Sequence, residues 1–148
     1  MSKHYVEQRA LLLDQSLSWD IAHHLYVRQF RGNAVILTDD PATLMPAVKK
    51  QWQKVARLVT KERASTLRPD RVAELIRQHT HMRRLRFSAD RLAQVPSKSI
   101  LLATPQQLLD RPLTCDTLYV ACAIDPPTLA LLQHNLRPHG LMVVYATK

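Results

Sequence analysis

Four short apolar runs limit what this chain can fold into: AVILT at 34–38, SILLAT at 99–104, TLYVACAI at 117–124 and GLMVVYA at 140–146. None of them alternates polar with apolar residues. A strand written that way is covered on both faces, because an exposed face would show a polar residue at every second position. The runs are separated by turn residues and by segments with helical spacing. Asp39 or Asp40 before Pro41, and Thr104 before Pro105, supply a capping side chain followed by a first-turn proline, which opens a helix. Strands that alternate with helices predict a mostly parallel sheet, since each helix returns the chain to the edge where the strands begin.

The remaining segments extend that pattern. Residues 1–31 are expected to form a helical N-terminal segment in two pieces. Val6, Ala10 and Leu13 keep one face of the first piece apolar. Ser16 or Ser18 caps the second, in which Trp19, Ala22, Tyr26 and Phe30 recur at helical spacing. Gly32-Asn33 ends it, as both residues tolerate the left-handed conformation of a helix stop. A helix from Pro41 to about Gln53 is expected to give way to a strand, VARLVT, at 55–60. The competing reading continues the helix to Arg63, because Leu44, Val48, Trp52, Val55 and Val59 also fit its period. Pro69 opens another helix to His81. RRLRFSA at 83–89 alternates, Leu85 and Phe87 inward and Arg84 and Arg86 outward, as a strand with one basic face or edge. Short helices follow Thr104 and open at Pro126-Pro127. The fold class is therefore α/β, a three-layer, mostly parallel, Rossmann-like sheet of five or six strands with an N-terminal helical segment.

At 148 residues one domain spanning the whole chain is expected, with 1–31 packed on it or extending from it. No apolar run approaches the roughly 20 residues needed to cross a bilayer, and no membrane partner is expected. Glu7, Asp14 and Asp20 interrupt the first twenty residues, unlike a secretory signal, so a cytoplasmic location is expected. Cys115 and Cys122 lack the C-x-x-C spacing of a redox or zinc site. If 116–123 is extended, their odd separation sends them to opposite faces, as buried reduced thiols.

In open α/β sheets ligands gather beyond the carboxyl ends of the strands, so chemistry is sought there. Phosphate cradles need glycine, and this chain has only Gly32 and Gly140. ILLATPQQLLD resembles the Thr-Pro segment of DEAD-box helicases over eleven residues. Gln106-Gln107 stand where that family shows a glycine and an arginine, no G-x-x-x-x-G-K-[ST] loop precedes it, and a Thr cap before a first-turn proline explains the segment by itself. LRPHGLMVVYA is similar to the late helix-to-strand step of class I methyltransferases, with His139 where a second glycine is usual and TDDP in place of the glycine-rich turn. Asp39-Asp40, Asp90, Thr104 and Lys148 resemble a receiver-type phosphoacceptor set, although an Asp-Asp before proline is also how a helix cap is written. His23-His24 and His79-x-His81 point apart on a helix and have no supporting ligand at metal spacing. No catalytic residue, metal or cofactor is expected.

The charge has a clear address. Lys and Arg number 21 against 12 for Asp and Glu, a net of +9. Between Lys49 and Arg91 thirteen basic residues face four acidic ones, so this middle third carries the entire excess. Lys49, Lys50, Lys54, Arg57 and Lys61 fall on one flank of a helix, with Arg63, Arg83, Arg84 and Arg86 beyond. The expectation is a non-catalytic α/β binding domain acting in a nucleic-acid-handling assembly, contacting phosphate backbone or an acidic protein surface through these residues. Two alternatives stand beside it. One is a nucleotide- or S-adenosylmethionine-dependent enzyme with a degenerate cofactor loop. The other is a homo-oligomeric assembly subunit pairing through its N-terminal helices, with Trp19, Tyr26 and Phe30 as the interface.

Overall fold

The computed structural model describes residues 4–11, 16–28, 33–66, 68, 71, 86–88 and 99–146. Six strands form one sheet: β1 (Tyr5–Arg9), β2 (Ala34–Leu37), β3 (Arg86–Ser88), β4 (Ser99–Ala103), β5 (Cys115–Val120) and β6 (Leu136–Tyr145). Their order across the sheet is β1-β6-β5-β2-β4-β3, and every neighbouring pair is parallel. The helices are α1 (Leu17–Arg28), α2 (Pro41–Thr66), α3 (Pro105–Asp110) and α4 (Pro126–Gln133). The parallel α/β class predicted from the apolar runs is the one observed.

Every residue of β2 and β4 is buried, as expected of strands covered on both sides. Alternate residues feed two cores. Ala34, Ile36, Ile100, Leu102, Tyr119 and Val143 face Ile21 and Leu25 of α1 and Val48, Trp52, Val55 and Val59 of α2. Val35, Leu37, Leu101, Leu118 and Met142 face Leu108 of α3 and Leu132 of α4. The result is three layers, with the sheet in the middle. The chain leaves β2 through α2 toward β3, whereas it leaves β5 through α4 toward β6. The sheet's topological switch point therefore lies between the ends of β2 and β5.

Three expectations are corrected. The first piece of the N-terminal segment is a strand: Tyr5 to Arg9 pair in parallel with Leu141 to Tyr145, so backbone bonds to β6 override the helical spacing of Val6, Ala10 and Leu13. The second piece is helical, as α1. VARLVT is not a strand, because α2 runs unbroken to Thr66 and Val55, Ala56 and Val59 continue the stripe begun by Val48 and Trp52. Cys115 and Cys122 share one core, on the α3 and α4 side. A register shift between Cys115 and Thr117 breaks the alternation, and β5 ends at Val120, before Cys122. Both thiols are buried and free.

The expected strand at 83–89 appears as β3, in register with Ser99 to Leu101. Its side chains lie outside the described residues, and so does most of the helix expected after Pro69. No helix among the described residues is long and apolar enough to cross a membrane.

Candidate functional site

Helix α2 begins where β2 ends. Asp40 accepts hydrogen bonds from the Thr43 backbone amide at 3.2 Å and from the Thr43 hydroxyl at 2.6 Å, and these bonds hold its carboxyl below the usual carboxylate range. Pro41 sits at the first helical position, where its missing N–H costs nothing. The buried stripe of the helix, Val48, Trp52, Val55, Ala56 and Val59, locks its rotation against the sheet and α1.

That rotation decides where the charge goes. At about 100° per residue, Lys50, Lys54, Arg57 and Lys61 fall within an arc of about 60°, centred opposite the buried stripe. All four are exposed, and Lys49 is exposed too but lies about 80° from the nearest of them, beside the buried Ala56. Leu58 and Glu62 bound the arc on the other side, so the nearest acid of α2 lies outside it. Four of the five residues at 49–61 selected from the sequence thus share one outward face, and Lys49 stands apart from them. Arg63 is half-buried at the far end of the helix. Arg83 and Arg84 lie outside the described residues, and Arg86 is placed only through its backbone in β3.

The strand ends hold caps. Thr104 accepts from the Gln107 amide at 3.1 Å while Gln107 Oε1 accepts from the Thr104 amide at 2.9 Å, a complete capping box at the start of α3. Asp125 caps α4 by accepting from the Thr128 amide at 3.3 Å. Near the end of β2 an open hollow of about 410 Å³ is lined by Ser16, Ser18, Thr38, Asp40, Thr43 and neighbours. Its hydroxyls already have partners: Ser16 and Ser18 lie 2.7 Å apart, Thr38 accepts from the Asp40 amide, and Thr43 donates to Asp40. The aspartates of the phosphoacceptor resemblance therefore serve as a cap through Asp40 and an exposed neighbour, Asp39. Asp90 and Lys148 lie outside the described residues. No group of three side chains suited to a metal ion occurs among the described residues.

The proposed apolar pairing surface is divided by the fold. Tyr26 is buried, its ring edge-on to Trp52 at 5.4 Å and its hydroxyl 3.2 Å from Thr60, so it is a core residue and not an interface residue. Trp19 is half-buried and stacks on His23 at 4.7 Å. Phe30 lies outside the described residues.

A polar network that the residue pattern did not reveal fastens β1 to the sheet and to α1. Arg9 forks onto Asp20 at 2.7 and 2.8 Å and reaches Glu7 at 2.9 Å. Glu7 also meets His24 Nε2 at 2.8 Å, His24 Nδ1 meets the Tyr119 hydroxyl at 2.7 Å, and Tyr145 donates to Asp20 at 2.7 Å. The sequence signal for it was the i, i+2 pair Glu7 and Arg9, which share a face only on a strand. Burial pushes the Asp20 carboxyl up, but the bonds from Arg9 and Tyr145 outweigh it and leave it below its ordinary range. The network borders a hollow of about 290 Å³ lined by Glu7, Arg9, His23, His24, Val27 and Leu141.

Compared with models of protein families, with curated proteins and with solved structures, the chain matches none.

Proposed function

We propose that the chain is a non-catalytic binding domain that works in a nucleic-acid-handling assembly and holds phosphate backbone through the outward face of α2. One observation supports this reading above the rest: Lys50, Lys54, Arg57 and Lys61 occupy one narrow, exposed arc of a helix whose other side is anchored in the core. A solvated helix face usually mixes signs; this arc holds cations alone. Cations brought to a phosphate array release its condensed counterions, which gives affinity that falls steeply with salt. Mechanistically, capture is electrostatic and the sheet serves as the rigid mount.

At the sheet's crest Asp40, Thr104 and Asp125 are each engaged as helix caps, which supports binding over catalysis. The test is fluorescence anisotropy of labelled DNA and RNA across a salt series, comparing the natural chain with Lys50→Glu, Lys54→Glu and Arg57→Glu combined. Loss of binding in the triple variant, with its circular dichroism unchanged, is expected. Equal binding by both proteins at low salt sinks the proposal. Binding to an acidic protein with no affinity for either nucleic acid would transfer the face to a different partner.

A further inference from the structure

Resting on that reading, we infer that the nucleic acid engaged by α2 is a duplex, held along the phosphates of one strand and without base readout. Shape is the first support. Lys50, Gln53, Lys54, Arg57, Leu58 and Lys61 are all exposed, so the cations stand on the outer surface of the helix. Domains that bind single strands draw the strand into a basic groove and stack its bases on aromatic side chains.

The second support is where the aromatic residue went. Trp52, the only aromatic of α2, is 2% exposed and packs edge-on against Tyr26. Nothing aromatic therefore remains on the outward face of α2 to give the roughly 1–3 kcal/mol per base that stacking supplies to single-strand binders. What the face can hold is phosphate.

The third support is the width and straightness of the arc. A helix seated in the major groove lies between two phosphate backbones and turns its side chains to the base edges. Here the four central cations occupy about 60°, which addresses one strand. From Lys50 to Lys61 they span roughly 16 Å at about 1.5 Å per residue, the reach of two or three successive phosphates of one duplex strand, which winds around the axis as it climbs about 3.4 Å per step. The helix fixes the cations, and the duplex fixes the phosphates. A flexible single strand would have to lose conformational freedom to match the same array.

The experiment uses the full chain with a labelled duplex of about 20 bp, roughly four times the length the arc covers. Duplex DNA, duplex RNA and each single strand are the arms. At least one duplex is expected to bind about tenfold or more tighter than the single strands, and a scrambled duplex to bind within about threefold. Lys50→Ala, Lys54→Ala and Arg57→Ala combined should lower the slope of log K against log salt by about 2.7, at about 0.9 for each phosphate left without its cation. Single strands that bind as tightly as duplex, through the same three residues, overturn the duplex inference while the phosphate-binding reading stands. An unchanged salt slope in the alanine variant, or no binding in any arm, overturns both.

Discussion

Arg9, on edge strand β1, grips Asp20 of α1 with two parallel hydrogen bonds, Nε to Oδ2 at 2.7 Å and Nη2 to Oδ1 at 2.8 Å. The fork is the arrangement in which guanidinium and carboxylate match best. Asp20 is 4% exposed, so its charge depends on Arg9 and on the Tyr145 hydroxyl. The pair ties the first strand to the first helix and, through Tyr145, to β6. Because β1 has a neighbour on one side only, this network adds to its backbone pairing with β6 at the sheet edge.

Removing one member should therefore cost more than a surface ion pair does. Breaking a buried pair costs about 3–5 kcal/mol, and the one-third exposure of the Arg9 side chain reduces this to about 2–3 kcal/mol for Arg9→Ala. Urea unfolding reads the loss as a lower midpoint at unchanged slope. Arg9→Lys keeps the charge but not the fork, so it should fall between the two. A midpoint for Arg9→Ala equal to that of the natural chain would contradict this role.

Acid should release the same network. The His24 hydrogen bond lowers the Glu7 carboxyl, burial opposes it, and Arg9 lowers it further. Asp20 is also net lowered. Carboxyls whose folded values lie below unfolded values of about 4.3 and 3.9 stabilise the fold fully above that range. That stabilisation is lost as pH falls through the folded values. Urea midpoints are therefore expected to hold from pH 7 to about 5 and to drop below about 4. Asp20→Asn should be less stable at pH 7 and show a shallower acid limb. An equally steep limb in that variant would place the acid sensitivity elsewhere.

His139 and Gly140 predict opposite substitution effects at adjacent positions. His139 adopts φ 65°, a conformation that costs a side-chain-bearing residue about 1–2 kcal/mol. His139→Gly should relieve part of that and raise the thermal midpoint by a few degrees. A Cβ at Gly140 would lie 2.9 Å from the Arg137 carbonyl oxygen and 3.1 Å from that of Asp116, both backbone atoms that cannot step aside. Gly140→Ala should destabilise by about 1–3 kcal/mol. Thermal unfolding of the two variants checks both signs, and a stabilising Gly140→Ala would show that the bulge between β5 and β6 is adaptable.

What the residues disclosed about the fold follows from how local each cause is. AVIL and SILLA read correctly because burial on both faces leaves a mark on every residue. Thr104-Pro105-Gln106-Gln107 read correctly because a capping box is complete within four residues. YVEQR did not, since its strand exists only through pairing with residues more than 130 positions away. VARLVT misled for a related reason: β-branched residues favour strands locally, yet Val55 and Val59 complete a helical stripe whose meaning depends on the sheet beneath.

The spacing of Lys50, Lys54, Arg57 and Lys61 was legible as one face only on the competing reading that carries the helix to Arg63, because a strand at 55–60 would have divided them. The isolation of that face from stacking residues was not legible, because the burial of Trp52 against Tyr26 is a tertiary fact. The same distinction removed Tyr26 from the surface.

The two thiols supply a last prediction. Burial pushes Cys115 up to about 12, with the Asp116 charge adding to it, and burial pushes Cys122 up to about 11, helped by Asp39. Only the thiolate attacks a disulfide reagent, and at pH 8 thiols raised this far are almost wholly protonated. Both are also covered, at 0% and 6% exposure. Labelling of the folded chain with an aromatic disulfide at pH 8 should therefore be slow, with Cys122 ahead of Cys115, and should become fast for both in denaturant. Rapid labelling of Cys115 without denaturant would mean that the layer of α3 and α4 opens readily, and that the sheet is a less rigid mount than its packing implies.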